Sequence, residues 1–222
     1  MRRANAICLL LAIAALARGA AGAQRVVDRI VARVEDDVIL QSEARELGLY
    51  QQLVNGKADA LDTLLGELIE QWIAKTEAKA AEFPRPSDED VERALADLEK
   101  QYASQDAFQK RLRELGLSAA AVKRLLGEQL YVGRYLEYKF RPSVQVEDEA
   151  IEKYYREELV PAVQARGGQA PVLDAVREEI REVLVERAIS QRADKWIEET
   201  RSRLRVEILH PMGEAARKTG EK

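Results

Sequence analysis

Between residues 26 and 34 apolar and polar positions alternate. Val26, Ile30, Ala32 and Val34 fall on one side with Asp28, and Val27, Arg29, Val31 and Arg33 on the other. That period of two predicts a strand with one drier face. Glu35-Asp36-Asp37 predicts a turn, Val38-Ile39-Leu40 a short return strand, and Ser42 a helix N-cap followed by Glu43 and Glu46, where the helix dipole favours acid. From there the pattern predicts helices at 42–54, 59–82, 87–102, 105–115, 118–140, 147–159 and 172–204. Boundary residues set several of these limits. Ser87 with Asp90 forms a capping-box variant after the Pro84-Arg85-Pro86 breaker, Gly116 suits a left-handed C-cap, and Leu117 before Ser118 is placed to staple onto Val122. Pro142 ends the helix before it.

The last helix is long for a soluble domain. Leu173, Val176, Ile180, Leu184, Ala188, Ile197 and Leu204 form its apolar stripe, with Asp174/Arg177, Glu178/Arg181 and Glu199/Arg203 spaced to pair on the wet side. Residues 205–209 return to a period of two and predict a short strand before Pro211 and a polar tail expected to be disordered. A lone terminal strand is unstable, and the only other strand material is the hairpin near residue 30. The fold expected is therefore mainly α: a multi-helix bundle with a small antiparallel β-sheet joining the N-terminal hairpin and the C-terminal strand.

The first residues read as an export signal. Arg2 and Arg3 give a basic start, residues 7–17 are uninterruptedly apolar, and Ala21-Gly22-Ala23 has the small-x-small pattern of a cleavage site, which predicts a cut after Ala23. The apolar run is about half of the ~20 residues that span a bilayer, so no stable membrane insertion is expected after cleavage. Cys8, the only cysteine, would leave with this segment, so no disulfide framework is available and a packed core must stabilise the chain. The three arginines ahead of the cut would take the net charge from −4 to about −7, a poor footprint for nucleic acid.

Candidate chemistry is sparse. His210 is the single histidine, so a Ser/His/Asp triad, a Cys/His dyad or a zinc site lacks partners. No catalytic residue, metal ligand or cofactor is expected. Glu35-Asp36-Asp37 reads as a turn and Glu178/Glu182 as a solvated face. Tyr131, Tyr135 and Tyr138 recur at helical spacing with Phe140, and Tyr154-Tyr155 follows. They suit packing between helices or the wall of a peptide-binding groove, because tyrosine offers broad apolar contact with a polar tip. Gly66, Gly127 and Gly133 inside helical patterns mark either close helix crossings or local compliance.

Residues 26–43 (VVDRIVARVEDDVILQSE) resemble the mature N-terminus of SurA-type periplasmic chaperones, with Glu35 standing where an Asn is usual and Arg33 replacing an apolar residue. Residues 146–155 (VEDEAIEKYY) are similar to the segment leading into a parvulin-type prolyl isomerase domain of that family. Residues 172–209 resemble the C-terminal helix and strand that follow it and fold back. The parvulin domain itself is missing, and no catalytic residue carries over. The resemblance implies a signal peptide at 1–23, an N-terminal chaperone module at 24–160, a linker at 161–171 replacing the parvulin domain, a completing helix and strand at 172–209, and a tail at 210–222. It also implies a periplasmic, ATP-independent chaperone whose partners are unfolded or outer-membrane client polypeptides. The client-binding candidates are Tyr131, Tyr135, Tyr138 and Phe140. A non-catalytic adaptor binding one specific partner or a second copy is the alternative. A prolyl isomerase is a third, against which the missing proline pocket speaks.

Overall fold

The computed structural model describes residues 28–209; the segment expected to direct export, the cut expected after Ala23, His210 and the residues after it lie outside them. The elements in chain order are β1 (Ile30–Val34), β2 (Asp37–Leu40), α1 (Gln41–Asn55), α2 (Leu61–Ala80), α3 (Asp88–Glu99), α4 (Gln105–Leu115), α5 (Ala119–Phe140), a 3₁₀ turn (Arg141–Ser143), α6 (Asp148–Tyr154), a π-helical turn (Tyr155–Leu159), α7 (Val160–Ala165), α8 (Leu173–Arg201) and β3 (Val206–Ile208). The fold is mainly α with one three-stranded antiparallel sheet in the order β2-β1-β3. No helix among the described residues is long and apolar enough to cross a membrane.

The two ends of the described chain meet, as the lone terminal strand required. β3 pairs with β1 through Ala32↔Ile208, Arg33↔Glu207 and Val34↔Val206. The predicted alternation on β1 breaks at one point. Ile30 pairs with Leu40 and Ala32 with Ile39, so Val31 is an extra residue in a β-bulge. The bulge re-aims Val31, which is fully buried beside Ala32 and Val34 instead of sharing the wet face with Arg33. This face packs on Leu65, Ile69 and Ile73 of α2 and on Trp196, Ile197 and Leu204 from α8 and just beyond it.

Ser42 is not the N-cap of α1; Leu40 is, and Ser42 lies in the first turn. Asp28 supplies the missing acceptor from outside the helix. Its carboxylate accepts from the Ser42 backbone N–H at 3.3 Å and from the Ser42 hydroxyl, and the latter bond holds its carboxyl below the usual range. The other predicted caps form. Ser87 and Asp90 bond reciprocally at 3.1 and 3.2 Å, and Gly116 is left-handed at φ +70°. Leu117 and Val122 share one core cluster.

That cluster gathers Tyr50 and Leu53 of α1, Leu95 and Leu98 of α3, Phe108 and Leu112 of α4, and Val122, Leu125 and Leu126 of α5. Among the three interior glycines only Gly127 meets a neighbouring helix, with Val91 3.4 Å from where a Cβ would stand. Gly48 is tighter still, with Leu64 3.0 Å from that position.

The linker expected over 161–171 is shorter, because helix runs on to Ala165. It does so through a π-helical turn in which the Val160 N–H donates to the Tyr155 carbonyl. In ordinary α register the ring of Pro161 would clash with the carbonyl of Glu157, and the wider turn relieves that clash. Gly167, left-handed at φ +74°, then reverses the chain, and the Tyr155 hydroxyl closes the reversal by donating to the Pro171 carbonyl at 2.7 Å.

Candidate functional site

Helix α5 is 22 residues long and carries its tyrosines at steps of three and four, so they share one side of it. Tyr131 and Tyr135 are buried, at 2% and 3% exposure, against Ala78 at the end of α2. Phe83, folded back by a Phe83 N–H to Ala78 carbonyl bond of 2.9 Å, packs on both, with ring centroids 6.1 and 5.6 Å away. The Tyr131 hydroxyl donates to the Phe83 carbonyl at 3.3 Å, and burial raises the pKa of the Tyr135 phenol. These two tyrosines fill space between helices in the described arrangement.

Tyr138 and Phe140 lie further along the same helix and reach the surface. Tyr138 is 64% exposed, with its ring 5.2 Å from that of Phe83, and Phe140 is half-buried. Phe140 packs edge-on against Trp196 of α8 at 5.9 Å, and Trp196 also touches Tyr135 at 6.5 Å. An aromatic strip therefore runs from the interior at Tyr131 outward to the seam between α5 and α8. Lys139 crosses it with its ammonium 4.7 Å from the Trp196 ring centroid, within cation–π range.

At the outer end of the strip is an open groove of about 380 Å³ lined by Phe140, Ser143, Arg192, Lys195, Trp196 and Glu199. Arg192 donates to the Ser143 hydroxyl at 2.5 Å. Among the described residues neither Arg192 nor Lys139 has a carboxylate within salt-bridge distance, and Lys195 has only Glu199 at 3.9 Å. The cleft of about 430 Å³ between α3 and α5 is different. Lys123 there pairs with Glu92, and Arg124 with Glu46 and Glu128. Most of its charges are paired, although Arg85 lies over the Tyr131 ring at 4.9 Å, whereas Arg192 and Lys139 at the α5–α8 seam have no carboxylate partner.

Sequence pattern pointed to Tyr131, Tyr135, Tyr138 and Phe140 but missed Phe83, Trp196, Lys139 and Arg192. Phe83 was hidden by the prolines that follow it. Trp196 was legible in principle, since Ala193, Trp196 and Ile197 continue the helical spacing of α8. Glu178 and Glu182 are taken up by Arg181 and Arg141, and Glu199 pairs with Lys195 instead of Arg203, which lies beyond the helix end at Arg201. No group of three or more His, Cys, Asp or Glu side chains among the described residues is placed to hold a metal.

The chain matches no protein-family model. No curated protein is significantly similar to it.

Proposed function

We propose that this protein is an exported, ATP-independent chaperone that holds unfolded polypeptides on the seam between α5 and α8. The observation that carries this reading is the outward end of the aromatic strip: Tyr138, Phe140 and Trp196 offer apolar ring surface beside Lys139 and Arg192, which have no carboxylate partner. Rings with few rotatable bonds give contact area at low entropic cost and tolerate many sequences. A holdase needs only to bind the unfolded chain, and mass action then lowers the free aggregation-prone population without fuel. The resemblance of residues 26–43, 146–155 and 172–209 to SurA-type chaperones supports the same reading, and the pattern of residues 1–23 supports a periplasmic location.

Side-chain capture is favoured over strand addition. β3 is three residues long and flanked by Arg205 with Glu207 in it, and short, charged edges discourage pairing with further strands. The test is light scattering from a urea-denatured outer-membrane protein diluted into buffer without nucleotide. Scattering falls when the mature chain is present at several-fold molar excess, and Tyr138→Ser with Phe140→Ser restores most of it. Unchanged scattering with the native protein would overturn the proposal, and a single stoichiometric folded partner in a pull-down would favour an adaptor instead.

A further inference from the structure

We propose that the α5–α8 groove selects client segments in which a carboxylate stands next to an aromatic or large aliphatic side chain. This deepens the holdase reading and rests on it. Across the rest of the described surface, arginines and lysines repeatedly face carboxylates: Lys75 to Glu128 at 2.9 Å, Arg134 to Asp90 at 2.7 Å, and Arg187 to Glu158 at 2.8 Å. Several cations elsewhere, Arg45, Lys57 and Arg166 among them, also lack one; the groove gathers two beside the rings of Phe140 and Trp196. Arg192 and Lys139 have no such partner, Lys195 has one at 3.9 Å, and Glu199 is the single acid in the lining. The groove is thus a local positive patch on a chain whose net charge is −4.

Its donors are also arranged for an anion. Arginine has five N–H groups in a fixed fork, and the bond to the Ser143 hydroxyl occupies one of them while tying the guanidinium to the 3₁₀ turn. The remaining donors are available to a carboxylate, which forms the stronger class of charge-assisted hydrogen bond. The Lys139 ammonium, 4.7 Å from the Trp196 ring centroid and 5.9 Å from that of Phe140, places the positive charge against the apolar wall. An acid held there brings the side chain beside it onto Phe140 and Trp196. A basic segment would meet three cations and be disfavoured, so the same residues reject as well as accept. An acidic segment is repelled by much of the remaining surface, which confines its binding to this patch.

The experiment uses fluorescence anisotropy with the whole mature chain. The probe is an end-blocked, labelled peptide Gly-Glu-Phe-Gly-Asp-Phe-Gly, compared with its Gln/Asn counterpart of the same shape. The acidic peptide binds at least about tenfold more tightly, a preference that weakens with added salt. In Arg192→Ala combined with Lys139→Ala the two peptides bind alike, while the protein still melts in one cooperative transition, since Arg192 is exposed and Lys139 only half-buried. Equal affinity for the two peptides in the native protein, or an undiminished preference in the double variant, would overturn the assignment. If neither peptide binds while the protein still suppresses scattering of a denatured client, the groove assignment falls and the holdase reading stands. If scattering is also unsuppressed, both fall.

Discussion

Helices α1, α3, α4 and α5 form a body around one large apolar cluster, whereas α6, the π-helical turn and α7 form an arm that meets the first half of α8 through few buried side chains and several ion pairs. The body encloses Phe108 and Val122 at 0% exposure, with Leu53, Leu98 and Leu112 around them. Ile151 of the arm and Ile180 of α8 are both buried, while Leu159, Val160, Val163 and Val176 are half-covered. Ion pairs line the rest of the arm's contact with α8. Asp148 faces Arg177 and Arg181 at 3.3 Å, and Arg187 grips both oxygens of Glu158 at 2.8 Å. Exposed pairs of this kind contribute about 0.2–1 kcal/mol each. One chain thus combines a rigid scaffold with a loosely held helical pair, and the aromatic groove lies where α5 of the scaffold meets α8, the helix on which the arm rests.

The largest effect that distinguishes the two regions is expected from Phe108→Ala. Removing a fully buried ring leaves a cavity that costs about 3–5 kcal/mol, read as a lower urea midpoint for the whole molecule. Ile180→Ala, in the arm's contact, is expected to cost about 2–4 kcal/mol by the same mechanism but to act locally. Amide exchange should accelerate in α6, α7 and the first half of α8 and stay unchanged in α1 and α4. Equal acceleration everywhere would abolish the distinction.

Next comes the dryness of the body, which shows in Tyr50. Its phenol, 3% exposed and donating to Gln129 at 2.7 Å, is pushed up to about 12 by burial. Since the proton is held more tightly in the folded state, this stabilisation is complete below pH 10 and is lost as pH rises from 10 through 12. A shift of that size corresponds to about 2–3 kcal/mol. Tyr50→Phe should remove that part of the alkaline unfolding curve. The smallest effect belongs to Arg187→Ala, expected to cost no more than about 1 kcal/mol and to matter only at low salt, where exchange in α7 rises. A salt-independent effect there would show that packing holds the arm after all.

The body was legible in the sequence because each of its boundaries carries its own local chemistry: Ser87 with Asp90, Gly116, Leu117 with Val122. The closure of the sheet was legible too, from the instability of a strand at 205–209 left alone. The exceptions came from partners distant along the chain or from local distortion. Ser42 looked like a cap because nothing in its neighbourhood reveals that Asp28 reaches the same N–H group. Strict alternation puts Val31 on the wet face, since such a pattern cannot show a bulge. At 161–171, Pro161 signalled a break that a π-helical turn absorbs. The candidate site was half visible. Its tyrosines stood out by spacing, but the division between buried Tyr131 and Tyr135 and exposed Tyr138 depends on Phe83 and Trp196, which belong to other elements.

The central claim is that the outer end of the aromatic strip is the working surface, and photo-crosslinking tests it most directly. A benzophenone amino acid at position 138, compared with one at Lys110 on the exposed side of α4, is irradiated in the presence of a urea-denatured outer-membrane protein after dilution. The expected result is adducts from position 138 and none above background from position 110. Adducts of equal yield from both positions, or from neither while the client is still kept from aggregating, would contradict it.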